Sequence, residues 1–314
     1  MSVPAIDAPD ALSHLIPSKV ARGFLLAVIA GLFFTGLNAS AKELAQEMPP
    51  LLVSWGRWIT AVLLLAPCLW WRLGFAGMRT RDLKLHALRG LFHTPGYGPW
   101  YEAVAWLPLA TMSALGFTGP IFVTIGAALF LGEDVRLRRW AAVMVGFGGA
   151  MIIIRPGFAE IGIGAICVLI STPIFSASNL ISKALARSDG AETIVIWQHL
   201  VIVLCAAPVA LWFWQSPTWT DILWFFAAGF CGTAGHICQQ RGYQIADITL
   251  LQPIGFLSLL WNTLLGFFLF SQQPDAWTFV GAAVIFASAM YISHREAVRR
   301  AKVKSALGPA GPAT

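Results

Sequence analysis

Charge is scarce in this sequence. Asp, Glu, Lys and Arg make up 11% of its 314 residues, against about 25% in a soluble domain. A water-facing surface cannot be coated with so little, which excludes a soluble enzyme and a DNA-binding domain. Cysteine is sparse too: Cys68, Cys167, Cys205, Cys231 and Cys238 all lie within apolar runs. Buried free cysteine behaves as a small hydrophobe, so no disulfide framework is visible. The phosphate loop Gly-x4-Gly-Lys-Ser/Thr and the zinc motif His-Glu-x2-His are absent, as is the serine elbow Gly-x-Ser-x-Gly. Those absences argue against ATP-driven pumping, zinc hydrolysis and acyl-enzyme chemistry. The polar–apolar alternation of an outer-membrane barrel is missing as well. What fills the chain is apolar residue, 57% of it, with a mean hydropathy of +0.71.

A membrane-crossing helix takes about 20 apolar residues. Apolar runs and their breakers predict ten, at 22–41, 51–71, 86–106, 109–131, 138–155, 161–184, 193–214, 221–245, 248–271 and 274–293. The expected fold is therefore an all-α integral membrane protein in the bilayer of the inner (plasma) membrane. The net charge of +6 follows orientation rather than nucleic acid. With the amino terminus in the cytoplasm, 18 of the 21 Lys and Arg residues fall inside, so both termini are expected to be cytoplasmic. Only Lys42 and Arg155 fall outside, and Arg57 lies within a span. Lys19, Arg22 and the run ending at Ala39-Ser40-Ala41 resemble a signal peptide. Because this run has a copy in the second half, it is read as a retained first span.

The chain repeats itself. Phe34-x3-Asn38-x3-Lys42 recurs as Phe175-x3-Asn179-x3-Lys183, and Trp55-Gly56-Arg57 as Trp197-Gln198-His199. Gly90, Thr94 and Gly96 recur as Gly229, Thr233 and Gly235, with offsets of 139 to 142 throughout. Two five-helix repeats are expected, at 22–155 and 160–294, between a tail at 1–21 and a basic tail at 295–314. An odd number of spans per repeat inverts the second relative to the first, a transporter signature.

Leu107-Pro108-Leu109-Ala110, Phe117-x2-Pro120-x-Phe122-Val123-Thr124, Leu131-Gly132-Glu133, Arg138-Arg139-Trp140 with Gly146-Phe147, and Arg155-Pro156-Gly157 resemble the EamA-type family of the drug/metabolite transporter superfamily. The resemblance spans residues 22 to 294. It implies ten helices, cytoplasmic termini and movement of small organic metabolites; the first half is most similar to carriers for S-adenosylmethionine or riboflavin uptake. The sequence departs from the family pattern at Ser271-Gln272-Gln273, where Gly-Glu is common, and at His199, the mate of Arg57.

Ionisable groups within a membrane each need a partner or a function. Arg57 lies about 9 Å below the outer boundary at 1.5 Å per residue, and Glu102 shares that depth. They are expected to pair near the outer mouth, or else to snorkel to the interface. His199 and Arg241 are their counterparts near the inner mouth; Arg241 is either an attractor for an anionic cargo or an ordinary cytoplasmic cation. Glu102 is the one carboxylate well inside a span, hence the candidate for any proton coupling. On the third helix Arg89, His93, Gly96 and Trp100 form a stripe within about 60°, flanked by Tyr97 and Tyr101. Asn38, Trp55, Phe117, Asn179, Trp197, His236, Gln239 and Trp261 complete an aromatic, amide-rich candidate lining. Such a set suits a flat aromatic or heterocyclic small molecule, although tryptophans also mark interfaces and glycines also pack helices.

Pro120 and Pro253 are candidate bending points. The fifth and tenth helices read as peripheral packing helices and candidate surfaces for a homodimer. No cofactor is expected, and no metal: on a helix His236 points about 140° away from the face shared by Cys231 and Cys238. These features favour a secondary carrier working by alternating access over a membrane-embedded enzyme or a channel.

Overall fold

The computed structural model describes residues 19–74, 78–119, 121, 122, 125, 137–155, 162–245, 251 and 257–306. Among them every regular element is helical, in the order α1 (Lys19–Leu44), α2 (Pro50–Leu73), α3 (Leu83–Trp106), α4 (Leu109–Gly116), α5 (Leu137–Ile154), α6 (Ile163–Leu185), α7 (Ala191–Trp212), α8 (Trp219–Ile245), α9 (Leu257–Phe270) and α10 (Ala276–Ala306). By length and composition five of them are apolar enough to cross a membrane: Ala21–Leu44, Pro50–Trp71, Ile163–Leu185, Ala191–Trp212 and Trp219–Ile245. Shorter apolar helical stretches lie at Trp140–Ile154, Leu257–Phe270 and Ala276–Tyr291.

Local sequence explains where the helices start and stop. Pro50 opens α2 at a position where its missing N–H costs nothing. The break between α3 and α4 rests on one proline. Leu107 is forced into extended backbone (φ −97°, ψ 151°) by Pro108 behind it, and Pro108 then leads directly into α4. Hydroxyls within the helices donate to carbonyls one turn back, as Thr35 does to Gly31, Ser40 to Gly36 and Thr172 to Val168. Each polar group is thereby satisfied inside its own segment, as an apolar surrounding demands. The last helix runs past the expected end at 293 to Ala306, because Ala, Glu, Lys and Arg are good helix formers.

Helix pairing reproduces the repeat seen in the sequence. The principal partners are α1 with α8 and α3 with α6, and exchanging the halves turns one pair into the other. The same exchange relates α2·α8 to α3·α7, α1·α9 to α4·α6, and α2·α3 to α7·α8. It maps α2·α7, α4·α9 and α5·α10 onto themselves. Equivalent glycines make the two principal contacts close. A Cβ on Gly96 would lie 2.7 Å from the Phe175 ring, and one on Gly235 would lie 2.9 Å from Phe34.

α5 and α10 pack backbone to backbone. A Cβ on Gly149 would lie 2.9 Å from the carbonyl oxygen of Gly281, and one on Gly281 would meet the carbonyl oxygen of Gly149. Ser288 adds a hydrogen bond to the carbonyl of Ala142 at 2.5 Å. The glycine faces of these helices are thus spent on each other, leaving outer side chains such as Met144, Met151 and Phe279 exposed.

Candidate functional site

A cavity of about 430 Å³ lies between the two halves, within the range of about 300–1,000 Å³ that holds a drug-sized ligand. Its walls come half for half from equivalent positions: Phe34 and Phe175, Asn38 and Asn179, Tyr97 and His236, Trp100 and Gln239. The stripe on α3 forms one wall. His93 Nδ1 is hydrogen-bonded to Ser178 Oγ at 2.6 Å, and its ring stacks on Phe175 with centroids 4.6 Å apart. Phe34 packs on the opposite side against His236, with centroids 5.0 Å apart. An amide ladder lines the α1–α9 side: Asn38 donates to Asn262 at 3.4 Å, and Asn262 donates to Thr35 at 3.3 Å and to the Ser258 carbonyl at 2.8 Å.

Arg57 closes the end of this chamber. It is fully buried, its Cζ lies 3.4 Å from the centroid of the Trp58 ring, and the hydroxyls of Tyr97 and Tyr101, rather than any carboxylate among the described residues, are the polar groups that interact with its guanidinium. Gly232 on α8 makes room for it, since a Cβ there would overlap the guanidinium. Fully buried Trp58 packs in turn on Tyr97, His199 and His236 at centroid distances of 4.8, 4.7 and 5.8 Å.

Of the side chains singled out from sequence, Asn38, Arg57, His93, Tyr97, Trp100, Tyr101, Phe117, Asn179, His236 and Gln239 line the cavity. Five do not. Trp55 donates to the Val203 carbonyl at 3.0 Å and packs on Trp214. Trp197 donates to the Met78 carbonyl at 3.0 Å. His199 is buried behind Trp58, and Trp261 and Glu102 stand outside the lining. The expected Arg57–Glu102 pair is not formed, because the half-buried Glu102 carboxylate accepts from Trp106 Nε1 at 3.3 Å. Nor do His199 and Arg241 pair, since Arg241 forms an ion pair with Glu192 at the start of α7. Arg89 is buried and ties α3 to α7 through the Ile194 carbonyl at 3.1 Å and Gln198 Oε1 at 2.6 Å. Pro120 and Pro253 lie outside the described residues.

Sequence reasoning missed Asn262, Ser176 and Tyr243 as lining residues and Trp58 as the platform for Arg57. Phe34 and Phe175, which in sequence mark the repeat, also line the cavity. Asn262 had a signal, an amide inside the apolar run Leu257–Phe270 beside Trp261.

The lysines of the repeated motif do the same thing at two different ends. Lys42 at the end of α1 donates to the carbonyls of Val104, Ala105 and Leu107, at 2.8, 3.3 and 3.0 Å, where α3 terminates. Lys183 at the end of α6 donates to the Tyr243 carbonyl near the end of α8. Each ammonium satisfies carbonyls that a helix terminus leaves free, at the negative end of the helix dipole. Beside Lys183, Asp189 accepts from Thr80 Oγ1 at 2.6 Å and is bonded to His86 Nε2 at 2.6 Å.

A bundle of apolar helices enclosing a chamber shared by two equivalent halves defines a multi-pass membrane transporter. Two successive stretches, 21–155 and 162–294, match the EamA-like transporter family, and the chain belongs to it. It is 33% identical to a riboflavin transporter of Rhizobium johnstonii, over 91% of this chain and 95% of that protein. A riboflavin transporter of Vibrio cholerae is 29% identical, over 88% of this chain and 94% of its own. An S-adenosylmethionine uptake transporter of Rickettsia felis is 23% identical, over 87% of this chain and 92% of its own. One protein of known crystal structure shares the fold, with a TM-score of 0.62 at 19% identity, covering 89% of this chain and 98% of that one.

Proposed function

We propose that this membrane transporter of small metabolites is a secondary carrier that moves a planar aromatic or heterocyclic cargo by alternating access. In this reading ten helices span the inner (plasma) membrane as two inverted repeats, 22–155 and 160–294, with both termini in the cytoplasm. A homodimer would engage the outer apolar side of α5 and α10.

The observation that carries the reading is the cavity wall, in which Phe34, Asn38, Tyr97 and Trp100 from one half face Phe175, Asn179, His236 and Gln239 from the other. A chamber built from equivalent parts can open towards either side when the two halves exchange conformations. The matched lysine contacts of Lys42 and Lys183 supply equivalent closures at opposite mouths. Planarity of the cargo follows from the ring walls, which offer flat contact surface, and from the amide ladder, which offers a few oriented hydrogen bonds.

Purified protein reconstituted into liposomes loaded with unlabelled riboflavin should accumulate labelled riboflavin transiently by counterflow, and uptake should saturate. Riboflavin is the probe because two of the relatives are named for it. Ionic conductance without counterflow would make the protein a channel, and appearance of a chemically altered product would make it an enzyme; either overturns the carrier.

A further inference from the structure

At Arg57 the symmetry of the cavity fails, and the failure there is electrical. Arg57 borders the cavity, whereas its mate His199 is packed behind Trp58 and does not. Among the described residues, no aspartate or glutamate lines the chamber. A buried cation without a counter-charge is costly, and the Trp58 face and the neutral hydroxyls of Tyr97 and Tyr101 offset only part of that cost. The guanidinium is a rigid planar fork of donors that cannot lose its proton. It is complementary to a planar group presenting two acceptor atoms side by side, such as a carbonyl oxygen next to an unprotonated ring nitrogen, or a carboxylate. The ring pairs Phe175 with His93 (stacked) and Phe34 with His236 (edge to face) line the same space.

We propose that Arg57 anchors an acceptor edge of the planar cargo, and that this uncompensated charge makes the chamber select neutral or anionic cargoes and reject net cations. The proposal deepens the carrier reading and rests on it. It also separates the chemistries of the relatives' names: a flavin ring presents carbonyl oxygens next to unprotonated ring nitrogens, whereas S-adenosylmethionine carries a sulfonium and an ammonium for which the described residues of the lining include no carboxylate.

The test is equilibrium binding to the purified full-length protein of four planar probes: riboflavin (a carbonyl beside a ring nitrogen), acridine-9-carboxylate (carboxylate), phenazine (neither) and proflavine (a cation). The wild type should bind riboflavin or the carboxylate at least tenfold more tightly than phenazine or proflavine. The better of the two identifies which acceptor group is used. Arg57→Met should erase that preference, weakening the acceptor probe by about ten- to a hundredfold, the range of a hydrogen bond to a charged group. Phenazine binding should change less than threefold. Arg57→Lys should retain part of the preference.

A structural role alone would make Arg57→Met less stable. An anchor freed of its unpaired charge leaves the melting temperature without cargo equal to the wild type's or higher. A preference that survives Arg57→Met overturns the anchor and leaves the carrier reading intact. Absence of binding by all four probes, together with absence of counterflow, overturns the carrier reading itself.

Discussion

Replacing Lys42 by methionine should loosen one mouth of the chamber and leave the other closed. The ammonium bridges α1 to three carbonyls at the end of α3, at 2.8, 3.0 and 3.3 Å, while methionine keeps the apolar stem and removes every donor. A hydrogen bond involving a charged group is worth roughly 1.5–3 kcal/mol. Three bonds made by one ammonium are not additive, so about 3 kcal/mol is a reasonable loss for the set. At 1.4 kcal/mol per tenfold, that shifts the closed-to-open ratio at this mouth by roughly a hundredfold. The readout is Ser113→Cys on α4, which lines the cavity, in a chain whose five native cysteines have been replaced. In the proposed orientation a membrane-impermeant maleimide added outside should label the Lys42→Met chain at least ten times faster than its parent. Lys183→Met should raise labelling from the cytoplasmic side instead. If both substitutions act from the same side, or neither changes labelling while insertion is normal, the two lysines are not equivalent closures.

Two further outcomes follow from the packing. Glu102→Gln should leave transport, and its response to a proton ionophore, within twofold of the wild type, because this carboxylate faces Trp106 rather than the cavity; a tenfold loss would return it to the transport path. Gly235→Ala places a methyl 2.9 Å from the Phe34 ring and should cost about 1–3 kcal/mol of stability by overpacking. Thermal denaturation in detergent measures that loss, and Phe34→Leu in the same chain should recover most of it; an unchanged melting temperature in the single variant would refute the tight crossing.

The repeat was legible because its spacing is long and regular. The motif Phe-x3-Asn-x3-Lys located the ring, amide and ammonium of each half: both rings and both amides line the cavity, and both ammoniums reach carbonyls near a helix end. Depth in the membrane was legible as well, but depth is one coordinate and a contact needs two. Glu102 shares its level with Arg57, yet at 100° per residue it lies about 180° around α3 from His93 and about 100° from Tyr101, both of which face the chamber. The same rotation explains Trp55, about 200° from Arg57, and Trp261, about 100° from Asn262. Tryptophan drew the eye in both runs, although its smaller or charged neighbour holds the inward position. The α3–α4 break could be read from Leu107-Pro108 because proline acts through local sterics. Which cation meets which carboxylate depends on tertiary packing, and Arg241 found Glu192 across a helix interface that no local pattern encodes.

Gly149 and Gly281 bring the backbones of α5 and α10 into mutual contact, at a place that exchange of the two halves leaves where it is. With main chain pressed on main chain, and the β-branched side chains of Ile153 and Ile285 wedged beside the two glycines, the pair has little freedom to slide. In the proposed alternating access the pair would serve as a keel against which the other helices rock. Bulk added at either glycine should then disturb the whole cycle, although neither residue lines the cavity.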